Sequence, residues 1–336
     1  MMTKSTLFSI ALLGMTAYLS PVSLTRAVAQ EKVKASYIAT SGAQAPLWIA
    51  SDLGLFKKYG LDVDVVFVPA GGTATQALIA NELQFILGQG FTSIVAGLSG
   101  ADTVIAATFY NDNPYSFVAN PRITQPSDLI GKKVGVLSIG SVNSLVVEMA
   151  LRHWKIDESK VTVMRAGSTR ERVQSVIAGN LDATVVTAEE LPRVRKAGLR
   201  ILLSLADIGS SLPMTSVTAR KAFLKAKPDV AARFLKALGE GGYIYHTGKE
   251  QSLKILAKWT RVHDAQTLEN IYQPYAQTIS LPPKTDLNGV QMLLDYIAKT
   301  RPEARQARAQ DFVDEEVLRG LEKEGFFRTM KDKGTK

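Results

Sequence analysis

Two stretches of this chain, roughly a hundred residues apart, repeat one order of elements: strand, small-residue loop, helix, strand, small-residue loop, helix, strand. The first runs from Val33 to Phe56 and on through Leu61 to Leu87; the second runs from Lys132 to Trp154 and on through Lys160 to Val186. Details echo between them, with Ala70-Gly71-Gly72-Thr73 against Ala166-Gly167-Ser168-Thr169 and Ala80-Asn81-Glu82-Leu83 against Ala178-Gly179-Asn180-Leu181. Alternation of strand and helix builds mainly parallel sheets flanked by helices. In open sheets of that kind a ligand sits beyond the carboxyl ends of the strands, where the small-residue loops lie. Two such units in 336 residues predict an α/β chain of two lobes facing across a cleft.

The first 29 residues are of another kind. Lys4 precedes an apolar run from Leu7 to Leu19, and Ala27-Val28-Ala29 offers small residues for cleavage before Gln30. This reads as a secretory signal peptide, too short and too broken by Pro21 for a membrane span. The chain has no cysteine, so neither a disulfide nor a lipid-anchored amino terminus is expected, and the fold must rest on packing. The formal net charge of +9 falls to +7 when Lys4 and Arg26 leave with the leader. The remaining Lys and Arg are scattered among acids, so a solvated surface is the expectation rather than nucleic-acid binding.

The reading along the chain is lobe one, lobe two, then a return: 1–29 signal peptide, 30–114 and 214–336 lobe one with the C-terminal helices, 115–213 lobe two. A helix is predicted from Ala45 or Pro46 to Tyr59-Gly60, another capped by Thr73 and running through Asn81, and a short one from Thr92 to Ser99. A strand from Thr103 to Phe109 leads toward the first crossing at the turn-rich stretch Asn111 to Pro114, and the second falls around Ala206 to Thr218, where Gly209, Ser210, Ser211 and Pro213 interrupt the periodicity. From Lys221 onward the apolar spacing is helical.

Chemistry-bearing positions follow from the strand ends. The loop Thr40 to Gln44, with Ser41 and Gln44, offers amides and polar side chains at a helix start. Gly71, Gly72 and Thr73 repeat the arrangement, and Ser138, Gly140 and Ser141 are the lobe-two counterpart. Such loops hold a carboxylate, sulfonate or phosphate without arginine; their other reading is tight turns and caps. Gln89, Gly90 and Phe91 follow the third strand, and Trp48, Phe91 and Tyr110 are aromatic candidates for a ligand ring, Trp48 equally a core residue. In lobe two Thr187 and Glu189 end a strand and are expected to face the cleft, while Arg170 reads as solvated or anion-pairing. Ser41, Thr73 and Ser141 are expected to share one hollow. The three His residues are scattered, and no HExxH, nucleophile elbow or Walker loop occurs, so no cofactor, no metal and no catalytic residues are expected.

Pro46-Leu47-Trp48-Ile49-Ala50 with Gly54-Leu55-Phe56-Lys57-Lys58-Tyr59-Gly60-Leu61, together with Gly71-Gly72-Thr73, Asp128 to Val136 and Gly179 to Ala183, resemble the periplasmic substrate-binding proteins of ABC importers. The resemblance is to the NMT1/THI5-like branch, which contains nitrate, sulfonate, taurine and thiamine-precursor binders, and it covers essentially the whole mature chain. It implies a two-lobed, type II (Venus-flytrap) periplasmic-binding-protein fold with a helical C-terminal third. It further implies a monomeric, non-enzymatic periplasmic protein that takes a small organic ligand, anionic or partly aromatic, and delivers it to a membrane permease and ATPase. The eukaryotic precursor synthases of the broad family carry a Cys-rich motif that this chain lacks. Two alternatives stand beside this reading: an enzyme on the same scaffold, with Glu148, Glu189 and His153, His246 and His263 as the places to look, and a binding subunit of a sensory receptor.

Overall fold

Ten strands form two five-stranded sheets in the computed structural model, which describes residues 30–69 and 71–333; the leader lies outside the described residues. The strands are β1 (Glu31–Tyr37), β2 (Leu61–Phe67), β3 (Phe85–Gly88), β4 (Thr103–Asp112), β5 (Tyr115–Ala119), β6 (Lys133–Val136), β7 (Thr162–Arg165), β8 (Ala183–Thr187), β9 (Arg200–Ser204) and β10 (Ser211–Arg220). Their orders are β2-β1-β3-β10-β4 and β7-β6-β8-β5-β9. One order maps onto the other, with β1 matching β6, β2 matching β7, β3 matching β8, β4 matching β9 and β10 matching β5. The repeated sequence script has become one repeated topology.

In the first sheet β1 runs parallel to β2 and β3, and β10 is antiparallel to both β3 and β4. In the second, β6 runs parallel to β7 and β8, and β5 is antiparallel to β8 and β9. Each sheet therefore has four strands pointing one way and one reversed, and the reversed strand is the one that has just arrived from the other sheet. The first passage is short, between Asp112 and Tyr115; the second lies between Ser204 and Ser211.

Local chemistry explains most element ends. Central strands such as β8 are buried along their first four residues and read as continuous apolar runs. The helix Thr169–Ile177 opens on a capping box, in which the Ser168 amide donates to Glu171 Oε2 at 2.6 Å and the Glu171 amide donates to Ser168 Oγ at 3.4 Å. Several boundaries differ from the sequence reading, and β4 itself runs on to Asp112 rather than ending at Phe109. The helix after β1 breaks into Ala45–Asp52 and Leu55–Lys58, because Gly54 sits at φ 67, in the left-handed region where a helix cannot continue. The helix after β2 spans Gly71–Ile79, so Thr73 lies inside it rather than capping it. The helix after β3 begins at Gly90, two residues before the expected start, with Gln89 as its cap.

The first core is aromatic. Phe85 of β3 stacks on Phe234 with centroids 4.0 Å apart, and the fully buried Trp48 stacks on Trp259 at 5.6 Å. The long helix Pro228–Thr247 lies against Ala45–Asp52, and a Cβ built on Gly241 would fall 2.4 Å from the Pro46 carbonyl oxygen. On an exposed helix Gly→Ala stabilises by about 1 kcal/mol. Here Gly241→Ala should reverse that sign and destabilise by about 1–3 kcal/mol, since two helix backbones must separate; a thermal melt of the variant checks it. A second core forms under β5, β6 and β8. It includes Leu145, Val146 and Val147 together with Val290, Leu293, Leu294 and Ile297 of the C-terminal helix Leu287–Ile297. That helix thereby packs against both halves of the molecule.

Candidate functional site

Where the two sheets meet, the ends of β1, β3 and β8 and the crossing strands enclose a cavity of about 300 Å³. Its lining draws on every element near the crossovers: Ser41 and Gln44 after β1, Gln89 after β3, Tyr110 and Asp112 of β4, and Tyr115 of β5. Thr187 and Glu189 enter from the end of β8, Met214 and Thr215 from β10, and Tyr275 from the helix Ala265–Ala276.

Glu189 ties the halves together. Ser41 Oγ donates to Glu189 Oε1 at 2.5 Å, and Tyr275 Oη donates to the same oxygen at 2.7 Å. The backbone makes both bonds possible. Ser41 caps the short 3-10 turn Gly42–Gln44, and Gly42 permits that turn to lie directly on the neighbouring helix. Tyr275 follows Pro274, which sits inside its own helix. The rings of Tyr110 and Tyr275 meet edge to face at 5.3 Å. Burial raises the hydroxyl pKa of Tyr110, Tyr115 and Tyr275, so all three stay protonated and able to donate. Gln89 and Asn143 lie within reach of the Tyr115 hydroxyl, and both temper that rise. Partial desolvation at the cavity also raises the Asp112 carboxyl above its ordinary range.

Six of the residues singled out from sequence meet at this cavity: Ser41, Gln44, Gln89, Tyr110, Thr187 and Glu189. The others lie elsewhere. Trp48 is a core residue, stacked on Trp259 and fully buried, because it sits on the helix face that packs beneath the sheet. Phe91 and Gly140 line a separate groove of about 640 Å³ between the halves, where Lys299 Nζ pairs with Glu148 Oε2 at 2.5 Å. Gly72 lines a third hollow, with Thr75, Gln76 and Phe91, between neighbouring helices. Gly71 is fitted against Thr92, and Gly90 against Ile105 and Pro213, so these glycines serve packing. Ser138 and Ser141 close on each other, Ser141 Oγ donating to the Ser138 carbonyl at 2.6 Å, and Thr73 is an exposed helical residue. Ser41, Thr73 and Ser141 thus do not share one hollow, and the loops around Gly71 and Ser141 spend their polar groups on their own turns.

The expectation of amide loops holding an anion also changes here. Among the described residues lining the cavity there is no lysine, arginine or histidine, while Asp112 and Glu189 are both present. Tyr275, Tyr115 and Asp112 were missed by the sequence reading. Pro274-Tyr275 inside an apolar helical segment was the one local signal of a helix bent toward something.

The family profile described as NMT1/THI5 like matches residues 42–249, more than half of the chain. This chain belongs to the NMT1/THI5-like family. Among relatives of this NMT1/THI5-like chain, YtlA of Bacillus subtilis (strain 168) is 28% identical over 213 residues, 62% of this chain and 64% of the relative. The chain thus spans just under two thirds of that relative's length. The taurine-binding periplasmic protein of Escherichia coli (strain K12) is 26% identical over 54% of this chain and 57% of its own. Among solved structures, the periplasmic aliphatic sulphonate binding protein SsuA of Escherichia coli superposes with a TM-score of 0.71 at 18% identity, covering 84% of this chain and 98% of SsuA. The desulfurization enzyme DSZB shares the fold too, with a TM-score of 0.64 at 14% identity, covering 90% and 99%. The two-lobed α/β fold is therefore that of SsuA-type periplasmic binding proteins, and it supports both binding proteins and an enzyme.

Proposed function

We propose that this NMT1/THI5-like chain is the solute-binding component of an ABC-type importer. It is exported to the periplasm, acts as a monomer without catalysis, and captures a small organic molecule between the half built on the first sheet and the half built on the second. The closed form then engages a membrane permease and its ATPase. Among the described residues no helix is long and apolar enough to cross a membrane.

One observation carries this reading: a cavity bounded by the strand ends of both sheets, with Glu189 on one side hydrogen-bonded to Ser41 and Tyr275 on the other. A guest enclosed there touches both halves, so its contacts convert directly into a preference for the shut state. The cavity volume lies at the lower end of the range for small-molecule sites, which favours a single ring or its equivalent. Tyr110, Tyr115 and Tyr275 supply the aromatic walls.

A thermal-shift screen of small organic molecules against the purified mature chain tests the proposal. A ligand at a hundred times its Kd adds about 2.7 kcal/mol to native stability, which for a chain of this size raises Tm by about 5–10 °C. Conversion of a bound compound by the chain alone would instead favour the enzyme reading, which the DSZB likeness keeps in view.

A further inference from the structure

Three oxygen atoms on residues that line the interlobe cavity are buried without a hydrogen-bond partner in the protein: Gln44 Oε1, Tyr110 Oη and Glu189 Oε2. Gln44 and Tyr110 are each only 3% exposed, so these atoms lie just behind the cavity wall, and a guest reaches them as their side chains turn toward it. Buried polar atoms are normally paired, and three orphans around one hollow mark a place where something else completes the set. Two of the three are acceptors only, an amide carbonyl and a carboxylate, and Tyr110 accepts as readily as it donates. The other Glu189 oxygen is already fixed by Ser41 and Tyr275, which holds Oε2 in place. Asp112, exposed at the rim, adds a second carboxylate, and no cationic side chain answers either one among the described residues of the lining.

We propose that the ligand is a hydrogen-bond donor with a positively charged nitrogen group on a small flat ring, its N–H groups directed at Gln44 Oε1, Glu189 Oε2 and Tyr110 Oη. The inference rests on the solute-binding reading and names its ligand class. A cation between Gln44 of one half and Glu189 of the other adds a second bridge beside Ser41–Glu189, so binding and closure reinforce each other. Tyr110, Tyr115 and Tyr275 suit such a guest, since aromatic faces attract cations. An anion would meet two carboxylates and no cationic side chain in the lining itself; Arg172, which acts on Tyr115 from behind, has its donors engaged by Thr184, Gly167, Thr169 and Val185.

The test is a shape-matched series at pH 7.5, with benzamidine and benzylamine as cations, benzyl alcohol as the neutral member, and benzoate and benzenesulfonate as anions. Each is titrated into the full mature chain by calorimetry and thermal shift. The expected result is binding of benzamidine at least tenfold tighter than that of benzoate or benzenesulfonate. Glu189→Gln and, independently, Gln44→Met should each weaken benzamidine at least tenfold while keeping a cooperative melt; whichever of the two folds is sufficient. Tighter binding of an anion, or benzamidine affinity unchanged in the folded variants, overturns the ligand class but leaves the binding reading standing. Silence from the whole series overturns the class as well, and the broader screen then decides by itself whether the chain is a binding protein.

Discussion

Alanine at position 42 should cost the protein most of its ligand affinity while leaving the rest of the fold recognisable. Gly42 opens the short turn Gly42–Gln44 and is buried against the helix Ala265–Ala276. A Cβ there would lie 2.2 Å from the Ile271 carbonyl oxygen and 2.9 Å from Tyr245 Oη and Tyr275 Cδ2. Backbone against backbone leaves no flexible end to give way, so turn and helix must part by about 1 Å, at a stability cost of about 1–3 kcal/mol. The turn carries Ser41 and Gln44 and the helix carries Tyr275, so that parting pulls apart the two donors that share Glu189 Oε1. Hydrogen bonds to a charged group contribute about 1.5–3 kcal/mol each; Glu189 Oε1 can follow only one of the parted donors, and loss of the other from the closed form corresponds to a fall in affinity of about tenfold to a hundredfold. Calorimetry on Gly42→Ala with any compound that stabilises the unmutated chain measures it. Affinity within threefold of the original would show that the Ser41 and Tyr275 contacts are incidental.

The largest loss of stability is expected at Arg172. Its side chain is 1% exposed and donates to Thr184 Oγ1 at 2.9 Å, the Gly167 carbonyl at 2.6 Å, Thr169 Oγ1 at 3.2 Å and the Val185 carbonyl at 3.2 Å. Thr184 Oγ1 passes the connection on by donating to the Gly135 carbonyl at 2.8 Å. One guanidinium thus joins the loop before its own helix to β8 and, through Thr184, to β6. Burial pulls its pKa below the ordinary arginine value, and Tyr115 and Glu171 oppose that shift. Arg172→Leu fills part of the space but leaves the Gly167 and Val185 carbonyls without this donor. A loss of about 3–5 kcal/mol is expected, as when one member of a buried polar set is removed. Differential scanning calorimetry should show Tm lower by about 6–20 °C. Arg172→Lys should recover only part of this, because an ammonium cannot reproduce the planar fork of donors. A melt within 2 °C of the parent would contradict the account of this half.

Much of this architecture was legible because it depends on local rules. The repeated script fixed two like-ordered units, and Gly60 at φ 73 ends the Leu55–Lys58 helix as a left-handed glycine should. Thr187 and Glu189 were readable as cleft residues because they terminate a central strand whose carboxyl end must face a ligand. Contacts made far along the chain were not readable. Ser41 and Glu189 are 148 residues apart, and Tyr275 and Glu189 are 86 apart; periodicity gives a helix face but not what that face meets. Arg170 and Arg172 show the same limit. Both follow the Ala-Gly-Ser-Thr loop, yet the first is exposed and the second is buried on the helix face toward β8. Glycine-rich loops misled for a related reason: Gly71 and Gly90 answer to close packing, and nothing in a short motif separates packing from ligand approach.

Closure around a guest is open to a direct measurement, and the chain's lack of cysteine makes it simple. Thr73 and Arg170 are exposed and lie just beyond β2 and β7, the edge strands farthest from the crossovers in each strand order. Thr73→Cys combined with Arg170→Cys allows a spin label on each half, and pulsed electron spin resonance reads their separation. With a stabilising compound from the thermal screen, the distance distribution should narrow and move to shorter values. A saturated protein whose two labels keep the same broad, unshifted distribution would mean that the halves do not shut on what they bind.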